Sequence, residues 1–371
     1  MTFRTASITK LFSMKIEQEV YKQVEVFEKE SEDSFLLLYQ NRTLSVGFLV
    51  KDIFLLMQNG ILDIEEIKEN IFNKHNLVVD VGDIERVADL LNNFIFGKID
   101  LHFLKFGKLI NPESIGFSLN FLFNKFLFYC SFAAFFVLNI LIFVLLPSSR
   151  LDGILDWIMW ILLLLGAIFF HELGHSFSAR KYGINCKEIG IGLYGIFPVL
   201  YTNLGESWRL RKDKRIIINL SGIYFQLMLG VIIGALAWFT GSNILSLLFF
   251  SNFVIALLNL NPFIKFDGYW VVTDLLNTNH LSKAANNELI RFFSFKYKDK
   301  NVKLLVYAFL RLIFIALIIF IVFILSISLI KKIFHPAPLS YHEYLLIVFI
   351  LFYLLKYIRN EHSKRKAKVF K

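Results

Sequence analysis

The sequence predicts a multi-pass α-helical membrane protein of about six transmembrane helices, preceded by a small N-terminal α+β winged-helix-like domain. Three observations carry this expectation. The 371 residues are 56% hydrophobic and only 19% charged, with a mean hydropathy of +0.58, whereas soluble domains sit near half apolar and a quarter charged. Uncharged apolar runs of about 20 residues, enough to cross a ~30 Å hydrocarbon core, recur from residue 126 onward. Before about residue 111 the pattern changes to short alternating runs and amphipathic periods.

Residues 1–111 read as the soluble domain. The stretches VEVFEK (24–29), SFLLLYQ (34–40) and TLSVGF (43–48) predict short strands, the last two joined through Asn41 and Arg42 as a hairpin. Three amphipathic helices follow. The first covers residues 49–59 and stops at Gly60, the second carries Ile64, Ile67 and Ile71 on one face, and the third carries Ile84, Val87, Leu91 and Phe94. The first 20 residues are polar and lack a signal-peptide core, which leaves the N-terminus in the cytoplasm.

Residues 112–371 form the membrane domain. Spans are expected at 126–147 and about 155–179, then two within the uncharged run 216–264 split by TGSN at 240–243, then 304–330 interrupted by Arg311, and a weaker sixth at 341–358. The formal net charge of +10 would fit nucleic-acid binding, but the basic residues bracket the apolar runs instead. Arg180, Lys181 and Lys187, the cluster from Arg209 to Arg215, the lysines near residue 300 and the tail at Lys364 to Lys368 all fall on one side of a six-span count. Positive charge marks that side as cytoplasmic, with both termini there and a lipid bilayer, not nucleic acid, as the partner. The segment 184–208 is apolar yet broken by Gly190, Gly192, Gly195, Pro198 and Gly205, and is expected to be a re-entrant or interfacial hairpin. Cys130 and Cys186 fit no disulfide or metal spacing and read as structural.

The chemistry concentrates in HELGH at 171–175. Two histidines four apart share one helix face and can bind a single zinc ion. Glu172 beside them can take a proton from the attacking water and pass it to the leaving amine. Three ionisable groups in a span are costly, on the order of 2.5–3.5 kcal/mol for a charge at the centre, and so point to function. A hydrolytic zinc needs a third protein ligand. Among the acidic residues returning to the same depth, Asp267 in NLNPFIKFDGYW (259–270) is selected, with Asp274 as the fallback.

HELGH in a span, a Gly- and Pro-broken hairpin and then NPFIKFDG together resemble the site-2 protease family of intramembrane zinc metalloproteases, over about residues 150–280. The resemblance implies one catalytic zinc ion on His171, His175 and Asp267 with Glu172 as general base. INLSGIYFQLMLG (218–230) resembles the family's Gly-x-x-x-Asn motif with Gln226 in the Asn position. Gln226 and Asn261 are the implied substrate-contact candidates. FPVLYTNLGESWRL and DGYWVVTDLL are similar to the peptide zinc metalloprotease branch, and residues 1–111 resemble the PqqD-like leader-recognition domain, which binds leader peptides by strand addition. The function expected is a membrane-embedded zinc endopeptidase working near the cytoplasmic face on a ribosomally made peptide or its leader. The competing readings are regulated intramembrane proteolysis of a membrane-anchored regulator and a non-catalytic peptide export or immunity protein.

Overall fold

The computed structural model describes residues 18–30, 34–39, 42–96, 103–116, 118–147, 149–186, 188–194, 197–278, 281–294 and 301–334. The chain divides into two compact units, Met1–Leu101 with Phe106–Ile191 and Leu200–Leu257, and His102–Lys105 with Gly192–Val199 and Leu258–Lys371.

The first unit opens with three antiparallel strands, β1 (Glu25–Glu28), β2 (Ser34–Tyr39) and β3 (Arg42–Gly47), in the order β1-β2-β3. Their register pairs Val26 with Leu37 and Leu37 with Leu44. Leu36 and Leu37 are both buried, so the central strand is covered on either face. Three helices follow, α1 (Phe48–Gln58), α2 (Ile64–His75) and α3 (Val81–Phe96), within a residue or so of the periodicities that predict them. Asp63 caps α2 by accepting from the Glu65 and Glu66 amides, and Gly60 takes a φ of 92° just past α1. Ile53, Phe54, Ile67, Ile71, Ile84 and Leu91 fill the core with Leu37.

Among the described residues, four helices are long and apolar enough to cross a membrane: α4 (Lys125–Leu145), α5 (Ile154–Lys181), α6 (Lys212–Thr240) and, in the second unit, α10 (Val302–Phe334). A shorter apolar helix, α7 (Asn243–Asn259), follows α6 after Gly241 turns the chain at φ 63°. The expected sixth span at 341–358 lies outside the described residues, as do the first 17 residues, Asn41 and the basic tail. α6 is the hub of its unit, with 61% of its apolar window buried against 11% for α4 and α5, and it packs on both. Close approach to α5 occurs at Gly174, where a Cβ would lie 2.9 Å from the Phe225 ring and against the Ser221 carbonyl. The first span is mostly unburied but anchors on α6 at two points. Phe128 and Asn139 are fully buried, and Asn139 Nδ2 donates to the Leu227 carbonyl of α6 at 2.8 Å.

The glycine-broken segment after α5 forms two strands, β5 (Ile189–Tyr194) and β6 (Phe197–Thr202). They belong to a three-stranded sheet with β4 (Phe103–Ile110), in the order β4-β5-β6. Sequence reading assigns 103–110 to the soluble domain; its backbone hydrogen bonds go to the hairpin sheet.

In the second unit, α8 (Asp267–Leu275), α9 (Leu281–Phe293) and α10 enclose a core of Tyr269, Leu281, Ala285, Leu304, Tyr307 and Ala308. The span from residue 244 does not run on to Asp267. It ends at Asn259, because Pro262 lacks an N–H and the next amide, that of Phe263, donates to Asn261 Oδ1 at 2.8 Å. Asp267 therefore opens a separate helix.

Candidate active site

The site is built on the C-terminal half of α5. Helical geometry puts His171 and His175 on one face, one turn apart, and both are buried at 6% and 4% exposure. Their Nε2 atoms face each other at 3.1 Å. The other ring nitrogens have acceptors: His171 Nδ1 donates to Gln226 Oε1 at 2.9 Å and His175 Nδ1 donates to the Ile218 carbonyl at 2.8 Å. A carbonyl oxygen can only accept, so each ring carries its proton on Nδ1 and turns an Nε2 lone pair toward the other. Two lone pairs at that separation repel, and a cation between them removes the repulsion. A ring N–H tied to a carbonyl is also the usual support of a metal-bound imidazole. The donor set thus fits a zinc ion.

Helix α6 supplies that support and leaves room for the rings. Gly222 lies against both imidazoles: a Cβ there would come within 2.6 Å of His171 Cε1 and 2.7 Å of its Nε2. Gln226 is one turn along the same face and is itself fixed, its backbone carbonyl accepting from Asn252 Nδ2 of α7 at 2.9 Å. Sequence reading offers Gln226 as a substrate contact; in the structure its side-chain carbonyl orients His171.

Glu172 is 9% exposed. Its Oε2 accepts from Thr202 Oγ1 at the end of β6 at 2.7 Å, and its main-chain carbonyl lies 3.1 Å from the same hydroxyl and 3.2 Å from Ser176 Oγ. Thr202 and Ile218 lie in the FPVLYTNLGESWRL and INLSGIYFQLMLG stretches, but neither residue is given a role there; Gly222 is the first residue of the Gly-x-x-x-Gln stretch. Burial drives the Cys186 thiol, beyond α5, up to about 12, so it is an inert side chain at neutral pH.

The structure brings together His171, Glu172, His175 and Gln226 in the first unit. Asn261 and Asp267 lie in the second. There Asn261 Oδ1 closes its own turn on Phe263, and Asp267 begins α8 next to Gly268, where any Cβ would run into the Leu260 carbonyl. Asp274, the fallback ligand, is buried within α8.

Comparison with known proteins agrees with this chemistry. Residues 159–242, which hold α5 from Met159 and all of α6, match Peptidase family M50. A Bacillus subtilis protein named as a peptide zinc metalloprotease is 27% identical over 233 residues, 61% of this chain and 88% of the relative. A zinc metalloprotease of Methanocaldococcus jannaschii is 24% identical over 145 residues, 37% of this chain and 40% of that protein. No solved structure matches the chain. Residues 159–242 thus form a Peptidase family M50 domain, and the chain is a zinc metalloendopeptidase of the site-2 protease-like kind.

Proposed function

We propose that this metalloendopeptidase is a six-span membrane enzyme with both termini in the cytoplasm. It hydrolyses peptide bonds near the cytoplasmic face and matures a ribosomally made peptide by acting on it or its leader. Residues 1–111 form the PqqD-like domain that captures the leader, and residues 112–371 form the membrane domain with the protease core at about 150–280. The observation that carries the catalytic reading is the pair of Nε2 lone pairs set face to face by Gln226 and Ile218, on the helix whose next residue after His171 is the buried Glu172. The three-strand, three-helix order of the first domain and the name of the Bacillus relative favour a peptide substrate.

In this reading His171, His175 and Asp267 hold the ion, two imidazole nitrogens and a carboxylate oxygen being a donor set zinc accepts. Bound zinc supplies polarisation of the scissile carbonyl and acidification of water. The chain's own residues do the rest. Glu172 takes a proton as water oxygen bonds to the carbonyl carbon, then gives it to the amide nitrogen as the C–N bond breaks. Gln226 and the Ile218 carbonyl keep both imidazoles in the ligating tautomer throughout.

The test uses full-length protein in detergent with fluorescein-labelled casein and with synthetic peptides from candidate precursors. Glu172→Gln is expected to retain about one zinc per chain and to lose about 10²–10⁴-fold in kcat, while Asp267→Ala and His175→Ala lose the metal. A Glu172→Gln enzyme that cleaves as well as wild type refutes the assignment. Residues 1–111 binding no leader-length peptide would move the substrate from a leader to a membrane-anchored regulator.

A further inference from the structure

The general base of a metallopeptidase has two carboxylate oxygens, and efficient proton transfer needs one of them aimed at water and kept there. On an isolated helix the Glu172 side chain would sample several rotamers. Here Thr202 comes from 30 residues further on and reaches back to Glu172 Oε2 with its hydroxyl at 2.7 Å. A hydroxyl has one proton, and the carboxylate oxygen is nearer than the Glu172 carbonyl at 3.1 Å, so the proton goes to the charge. With Oε2 engaged, Oε1 is the oxygen left for the reacting proton.

Thr202 is itself held. The next residue, Asn203, donates its N–H to the Glu188 carbonyl at 3.2 Å across the base of the hairpin and accepts the Gly205 N–H on its side chain at 3.3 Å. Gly205 is in turn covered by Leu38 of β2, whose Cδ1 lies 3.0 Å from where a Cβ would stand. We propose that Thr202 is the positioning residue for the general base: its hydroxyl fixes which oxygen of Glu172 accepts the proton, and the β5–β6 hairpin exists in part to deliver it. This rests on the role assigned to Glu172 above. A residue that only tidied the helix backbone would do so through the Glu172 carbonyl, which Ser176 already serves.

The experiment compares Thr202→Val, which keeps shape and removes the hydroxyl, with Thr202→Ser, which keeps the hydroxyl, in the full chain. For Thr202→Val we expect wild-type zinc content and melting temperature, unchanged KM for labelled casein and a kcat at least about tenfold lower, the scale of a lost hydrogen bond to a charged group. Thr202→Ser is expected to return kcat to within about threefold of wild type. A readout independent of turnover is the infrared carboxylate band isolated by subtracting the Glu172→Gln spectrum, which shifts in Thr202→Val and not in Thr202→Ser. An unshifted band with kcat within twofold of wild type overturns the proposal. So does a Thr202→Ser enzyme as slow as Thr202→Val, because the hydroxyl would then be irrelevant. If Glu172→Gln is itself fully active, the reading of Glu172 has failed, and the infrared shift alone decides whether Thr202 holds that carboxylate.

Discussion

At the scale of single residues, the site depends on one position having no side chain. Gly222 presents bare backbone to both imidazoles, and a methyl group there would stand where the His171 ring lies, 2.6 Å from Cε1. Gly222→Ala is therefore expected to displace the rings, drop zinc well below one per chain and abolish cleavage, measured by elemental analysis and casein hydrolysis. Gln226→Leu keeps the packing volume but removes the acceptor for His171 Nδ1. Losing a support of that kind weakens metal binding about 10–100-fold, readable by competition with a chelator. The placement of the two histidines was legible beforehand, because histidines four apart must share a helix face. What was not legible is who orients their rings. Gln226 and Asn261 are both polar residues in apolar runs, and sequence cannot say that one amide carbonyl turns to His171 and the other to its own turn at Phe263. Thr202 sits in the quoted FPVLYTNLGESWRL stretch but had no role to read from it, since its partner is 30 residues away and no periodicity links the end of a strand to a helix.

At the scale of elements, α5 and α6 must approach closely for those contacts to exist. Gly174 against Ser221, and the Ser178–Ser221 hydroxyl pair at 2.6 Å, draw the two backbones together by the small-residue packing that membrane helices use. Gly174→Val is expected to force them apart at a cost of about 1–3 kcal/mol, seen as a lower melting temperature with zinc lost in the same transition. Asn139→Leu removes a bond to the α6 backbone without adding a clash and is expected to cost less, about 0.6–1.7 kcal/mol. The positions of α4, α5, α6 and α10 followed from hydropathy and length, because lipid demands long apolar helices with internally satisfied backbones. The pairing of β4 with β5 did not follow, because strand partners are chosen by contacts nearly 80 residues apart along the chain, which local patterns cannot encode.

At the scale of the whole molecule, the N-terminal strand domain is fastened to the segment that carries Thr202. Glu30, just after β1, donates its N–H to the Arg209 carbonyl at 2.9 Å, and its carboxylate accepts from the Arg211 amide at 3.2 Å and from Lys214 Nζ at 2.7 Å. Arg209 also lies 5.5 Å over the Phe27 ring. Partial burial pushes the Glu30 carboxyl up, but hydrogen bonds from Lys214 and the Arg211 amide outweigh it and hold the group below its ordinary value. A depressed carboxyl contributes stability above its unfolded pKa of about 4.3 and loses it as pH falls through the lower folded value. The clasp is therefore closed at neutral pH and is lost only in acid, as pH falls through the lowered folded value. Each contact is partly exposed, so the ionic pair by itself is worth no more than about 1 kcal/mol. Glu30→Lys sets two cations together and is expected to raise hydrogen exchange of the Gly205–Arg211 amides by up to about fivefold, the factor matching that energy, with zinc content unchanged. Adding Lys214→Glu restores opposite charges in reversed order and should bring exchange back toward wild type. Exchange that is unmoved by the first substitution, or moved but not recovered by the second, would show that the N-terminal strand domain and the segment after the hairpin are joined by the Phe27 and Leu38 contacts rather than by charge. If exchange does recover, casein turnover in the two variants should follow exchange in opposite directions, falling in Glu30→Lys and returning in the double variant.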